Sequence, residues 1–174
     1  MSLSLYEVSV PVFIRALENL SAQLEKGRAF ADERGIAHGE LLDARLYEDM
    51  APLTAQIQRA SDTSKGMAVR IGQLDNVAMA DDEDSFDALQ QRIARTIAFL
   101  RAVPAEALNG REDAEVPLTV RGTMLNFTGR SYVLSFALPN FFFHVTTAYA
   151  LLRHKGVPIG KLDFLGGYAS APAE

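Results

Sequence analysis

Apolar positions recur at helical spacing along most of this chain and change to alternation once. The clearest seam is Leu53, Ile57, Ala60, Ser64, Met67, Ile71 and Leu74, at strict steps of four and three, with Pro52 near its first turn. Such a stripe lies along one face of a helix and requires a neighbouring helix to cover it. From Pro52 to Leu74 the predicted helix is about 35 Å long at the usual rise per residue, enough to run the length of a small bundle. Asp49 stands where an N-cap or a first-turn acid would be.

An earlier stripe of Phe13, Leu17, Leu20 and Leu24 predicts a helix over residues 11–33, with Arg15, Glu18, Glu25 and Arg28 on its polar face. Ser9 is its expected N-cap, Pro11 sits where a missing N–H costs nothing, and Gly35 closes it. Residues 36–48 read as a connection with a helical turn over 41–46. Phe86, Leu89, Ile93, Ile97 and Leu100 predict a further helix over 85–103, stopped by Pro104. The acids before it, Asp81, Asp82, Glu83 and Asp84, complement its dipole, and Asp84 or Ser85 is the expected cap. A calcium loop is the sharper reading of that run, but the alternating ligands and the glycine of such a loop are missing.

The period changes after Asn109-Gly110, a turn signal that follows a short helical turn within residues 104–114. Val116, Leu118 and Val120 alternate with Pro117, Thr119 and Arg121; beyond Gly122 come Met124, Leu125, Asn126, Phe127 and Thr128. This predicts a small two-stranded ribbon, too short to be stable alone, which must pack on the helices or on another subunit.

Tyr132, Val133, Phe136 and Leu138 permit a buried segment, yet Pro139 is expected to break or kink it, so the main final helix is placed over 139–155. Arg153, His154 and Lys155 fall in its last turn, Gly156 fits the left-handed position beyond it, Val157 supplies the apolar contact and Pro158 blocks continuation. Phe141, Phe142 and Phe143 face more than one side of this helix, so it is central or covered by a partner. Leu162 and Phe164 are expected to dock on the bundle, and residues 168–174 to form a frayed tail of small residues.

Composition narrows the classes of function. At 174 residues and 48% hydrophobic content, the chain suits a single domain spanning 1–174. A formal net charge of -5 with dispersed basic residues argues against nucleic acid and against an anionic membrane as partner. The absence of cysteine excludes disulfides, thiolate metal sites and a cysteine nucleophile. No apolar run approaches about 20 residues, and the start of the chain lacks the pattern of a secretory signal; the expected location is cytoplasmic. No GxSxG elbow, phosphate-cradling glycine loop or HExxH motif is present.

Four principal helices with a long connection after the first, together with the closing signature PNFFFHVTTAYALLRHKGVPIGKLDFLG from Pro139, resemble the domain-of-unknown-function branch of the DinB/YfiT-like helical-bundle superfamily. The segments SVPVFIRALENL from Ser9, RLYEDMAPLTAQIQ from Arg45 and EDSFDALQQRIARTIAFL from Glu83 agree, so the resemblance covers nearly the whole chain. It implies an all-α fold, a DinB/YfiT-like four-helix bundle of up-and-down type, here with the β-ribbon inserted before the last helix, and a homodimer. It also implies a divalent metal held by three histidines, one on the second helix and two at i and i+4 on the last, and in some members transfer or isomerisation of substrates attached to low-molecular-weight thiols. Residues four apart lie one above the other on a helix, which is why that spacing can serve one ion. This chain departs from the pattern. His144 matches the first histidine of the last helix, its i+4 partner is Ala148, and the second helix offers Gln56 or Asp49 where a histidine is expected.

His144 lies among Phe141, Val145 and Ala148 on the helical wheel and therefore faces the interior or its border. It is either a core histidine satisfied by a partner across the bundle, or the centre of a pocket for a small apolar ligand, with Asp49, Gln56, Tyr149 and Asn140 as the other candidates. His144 with Asp49 makes a poor metal site, because zinc takes three protein ligands even when catalytic; the expectation is no tightly bound metal. His154 lies about 15 Å from His144 along the helix, too far to share an ion, and its expected role is at the helix C-terminus. His38 is expected in solvent. Asp49 reads first as a helix cap, and Tyr132 and Tyr149 as core aromatics whose hydroxyls can reach a pocket.

Overall fold

The computed structural model describes residues 3–120 and 122–167; the predicted tail at 168–174 lies outside them. The described residues are mostly helical, with one antiparallel pair of strands. In chain order the elements are α1 (Val10–Arg34), α2 (His38–Leu42), α3 (Leu53–Gly72), α4 (Phe86–Arg101), α5 (Ala105–Leu108), β1 (Glu115–Val120), β2 (Thr123–Thr128), α6 (Gly129–Tyr132), a π-helical segment (Val133–Ala137), α7 (Leu138–His154) and α8 (Lys161–Leu165). The four longest, α1, α3, α4 and α7, surround the core: α1 packs on α4 and α7, and α3 packs on the same two. Every residue of the predicted α1 stripe is fully buried, as are Leu53, Ile57, Ala60 and Met67 of the α3 seam.

Local signals set most helix ends. Gly35 adopts φ +64, and the amide of Ile36 returns to Ala31 O at 2.9 Å, so α1 ends where the glycine predicts. At the end of α7, Gly156 has φ +92, its N–H donates to Arg153 O at 3.1 Å, and Val157 N–H donates to Leu152 O at 3.1 Å. Those two bonds are the paired closure expected of a left-handed glycine after a helix. His154 is exposed in the last turn of α7, where it was expected, and takes no part in these bonds.

Several expectations are corrected. Ser9 occupies the N-cap position, but its hydroxyl donates back to Leu5 O at 2.5 Å and does not cap α1. Helix α3 ends at Gly72, short of Leu74, because Gln73 turns left-handed at φ 52, a conformation costing a non-glycine residue about 1 kcal/mol or more. Pro52 takes the N-cap position of α3, and Asp49 lies three residues earlier in an exposed turn, so it caps nothing. Of the two candidate caps for α4, Ser85 serves, accepting from Ala88 N–H at 3.2 Å.

Pro139 does not break the last helix. The chain runs on through the π-helical segment, where Leu138 N–H donates to Val133 O. That wider turn moves the i−4 carbonyl away from the proline ring, which removes the clash that otherwise stops a helix. Leu162 is 67% exposed, contrary to expectation, while Phe164 packs edge-on against Tyr149 at 5.7 Å. Polar contacts hold α8 instead: Asn19 Nδ2 donates to Phe164 O, Gln23 Nε2 to Asp163 O and Arg15 to Leu165 O, each at 3.1 Å.

The ribbon is present as predicted, with Val116 opposite Phe127 and Leu118 opposite Leu125. Phe127 meets Tyr132 and Phe136 at ring distances of 5.7 and 5.8 Å, which seats it on the helical body. Gly129, directly after β2, lets the chain pass the α5–β1 connection: a Cβ there would collide with the carbonyl oxygen of Arg111.

Candidate functional site

The antiparallel contact of α3 with α7 brings His144 and Gln56 together. His144 is buried, 7% exposed, and its Nδ1 lies 2.8 Å from Gln56 Oε1. Gln56 Nε2 donates to Ala51 O at 2.9 Å. A carbonyl oxygen can only accept, so the amide end facing Ala51 must be the NH2, and the end facing His144 is the oxygen. An amide oxygen also only accepts, so Nδ1 of His144 carries the proton and Nε2 is left with a lone pair. Among the described residues Nε2 makes no hydrogen bond. Burial pushes the imidazole down to about 4, and the Arg59 charge acts in the same direction, so the ring is neutral at physiological pH.

Along α7 next to His144, Phe142, Phe143, Thr146, Thr147 and Ala150 form a shallow groove with Leu46. Phe143 is 56% exposed, whereas Phe141 is fully buried, so the aromatic run divides between core and surface. The other candidates fall differently. Asn140, one turn before His144, donates to Thr63 Oγ1 at 2.8 Å and braces the same α3–α7 seam. Tyr149 turns to α8 and packs on Phe164. Asp49 is exposed, and no hydrogen bond or ion pair joins it to another described residue. Tyr132 is core: it is 1% exposed and its hydroxyl accepts from Arg70 at 3.3 Å. His38 is half-buried, 2.8 Å from Asp32 and edge-on to Phe86, which is less open than its expected place in solvent.

Residues 5–165 match the family described as a domain of unknown function (DUF1993). The chain belongs to this family, a DinB-like branch. A crystal structure of a DinB family member protein from Shewanella denitrificans is similar over 97% of this chain and 96% of that one, with 33% identity and a TM-score of 0.87. No curated protein matches.

In this DUF1993 chain the residues present do not fit the three-histidine metal pattern of the superfamily. Ala148 stands at the i+4 position, Gln56 offers an amide already committed on both ends, and Asp49 is exposed in a turn before α3. Among the described residues no group of three or more histidine, cysteine, aspartate or glutamate side chains is placed to hold a metal ion. Nor is any described helix long and apolar enough to cross a membrane.

One charged cluster escaped the sequence reading. Arg92, 2% exposed, points from α4 beneath the α3–α4 connection. Its guanidinium meets Asp62, Asp81 and Glu83, each at 2.9 Å, and donates to Ala80 O at 2.9 Å. Half of the acidic run therefore neutralises a buried cation, which is a different duty from complementing the α4 dipole. The signal was legible: Arg92 falls on the inward stripe of α4 between Leu89 and Thr96, and a buried arginine demands carboxylates.

Proposed function

We propose that this protein is a small-ligand-binding module built on a DinB-like four-helix bundle, in which a neutral imidazole replaces the degenerate metal site. The observation that carries this reading is the chain of hydrogen bonds from Ala51 O through the Gln56 amide to Nδ1 of His144. It fixes one tautomer and leaves Nε2 as a free hydrogen-bond acceptor at the α3–α7 seam, while the neighbouring Phe143, whose ring is 5.3 Å from the imidazole, lines an apolar groove with Leu46 and Phe142. The ligand class that suits both features is a small apolar molecule bearing one O–H or N–H donor.

Phenol is a simple probe of that class. Long-range proton–nitrogen NMR of His144, its signals assigned by their absence in His144→Phe, should report an Nδ1–H tautomer and a shift of Nε2 on adding phenol. An Nε2–H tautomer, or no phenol response at millimolar concentration, overturns the reading. The alternative, a metal-dependent transferase or isomerase acting with a low-molecular-weight thiol, rests on the superfamily resemblance; stoichiometric metal in untagged protein, lost in His144→Ala, would favour it instead.

A further inference from the structure

The two edges of the β-ribbon are not alike. β1 and β2 pair from Glu115 opposite Thr128 to Val120 opposite Thr123, so two residues connect them. In a hairpin of that length the flanking pair is hydrogen-bonded, and hydrogen-bonded and non-bonded pairs alternate from there. By that count Pro117 and Asn126, which face each other, form a non-bonded pair, and their main-chain groups point outward, one on each free edge. On the β1 edge this position is a proline with no N–H to offer, and Glu115 adds a charge beside it. The β2 edge, Thr-Met-Leu-Asn-Phe-Thr, contains neither proline nor charge. Met124 and Asn126 thus present donors and acceptors outward, and among the described residues neither main chain bonds outside the ribbon. Soluble proteins blunt exposed strand edges with proline or charge; here only β1 is blunted.

The apolar face of the ribbon points to what pairs with the open edge. Val116, at the base of that face, is buried, but Leu125 near the turn is 38% exposed; Met124, on the opposite face beside the same edge, is 67% exposed. We propose that two copies of this chain pair β2 to β2, antiparallel about a twofold axis, and join their ribbons into one four-stranded sheet. A twofold axis through this strand sets uncharged residues against uncharged residues and extends the apolar face across the seam at Leu125. A second copy brings a strand already ordered by its own hairpin, so it loses little conformational freedom on pairing, unlike an unfolded peptide. With one open edge per subunit the assembly closes at two, and the proline on β1 prevents growth into a filament.

Sedimentation velocity of the full chain across the micromolar range, with amide exchange of Met124 and Asn126, tests this. The expected result is a dimer in which both amides slow as concentration rises. Asn126→Pro and Met124→Lys should each weaken it by about tenfold or more, as loss of an edge hydrogen bond or a charge placed at the seam implies. Asn126→Pro leaves the pairing with β1 intact, and circular dichroism checks that it folds; if it does not, Met124→Lys decides. A wild-type chain that stays monomeric with freely exchanging edge amides overturns the proposal. So does a dimer indifferent to Met124→Lys but lost in Phe143→Ser, which would place the contact on α7.

Discussion

Replacing Arg92 by methionine removes a buried cation while keeping most of the volume of its stem. Two of its three partners lose little, because the side chains of Asp62 and Asp81 are 47% and 61% exposed and can turn to water, each loss being worth at most about 1 kcal/mol. Glu83 is different: its side chain is 10% exposed, and without Arg92 the one side chain that still donates to it is Gln58, at 2.8 Å, beside its own main-chain amide. Stranding a buried charge costs about 3–5 kcal/mol; the bond from Gln58 keeps the expectation for Arg92→Met near about 3 kcal/mol. Urea denaturation near neutral pH, read from midpoints at unchanged slope, measures it. Glu83→Gln in the Arg92→Met background should restore at least about 1.5 kcal/mol, because it removes the stranded charge. Burial pushes the Glu83 carboxyl up, but the hydrogen bonds from Gln58 and Arg92 outweigh it and hold the group below its ordinary 4.5. Its contribution is therefore complete above 4.5 and is lost as pH falls through the lower folded value, so wild type and Glu83→Gln should converge in acid. An Arg92→Met chain within about 0.5 kcal/mol of wild type, or a double variant no more stable than Arg92→Met, refutes the reasoning.

His144 should leave its own mark on acid stability. Its folded pKa is depressed from 6.5 to about 4, so the unfolded chain binds the extra proton between those values and stability falls as pH drops through that window. The loss is on the order of 2–3 kcal/mol, and His144→Gln should flatten that limb of a stability–pH profile; an unchanged profile contradicts a neutral buried ring. Gly129→Ala should destabilise the fold by at least about 2 kcal/mol, since the added methyl meets the Arg111 carbonyl oxygen, and a melting temperature equal to wild type would show that the α5–β1 connection gives way freely.

Periodicity and punctuation made most of the helices legible in the sequence. The stripe of Phe13, Leu17, Leu20 and Leu24, the glycine stops at Gly35 and Gly156, and the alternation around Val116 each have a cause within a few residues. The failures arose where a local rule met a distant partner. Pro139 should break or kink a helix, but the packed segment before it widens to a π-turn and carries the helix through it. Leu162 should be buried, but α8 is held through its carbonyls by Arg15, Asn19 and Gln23, which leaves that leucine in solvent.

The candidate site divides in the same way. The sequence by itself determined that His144 faces inward on the last helix and that Ala148 deprives it of a second histidine, because both follow from helical spacing. Only the tertiary structure decided its partner. The contact of α3 with α7 selected Gln56 over Asp49, and the carbonyl of Ala51 fixed which end of that amide meets the ring. The same is true of Arg92 and the acids that close over it. Helical spacing is a property of consecutive residues, whereas the proton on an imidazole and the neutralisation of a buried guanidinium depend on atoms that the chain brings together only after it has folded.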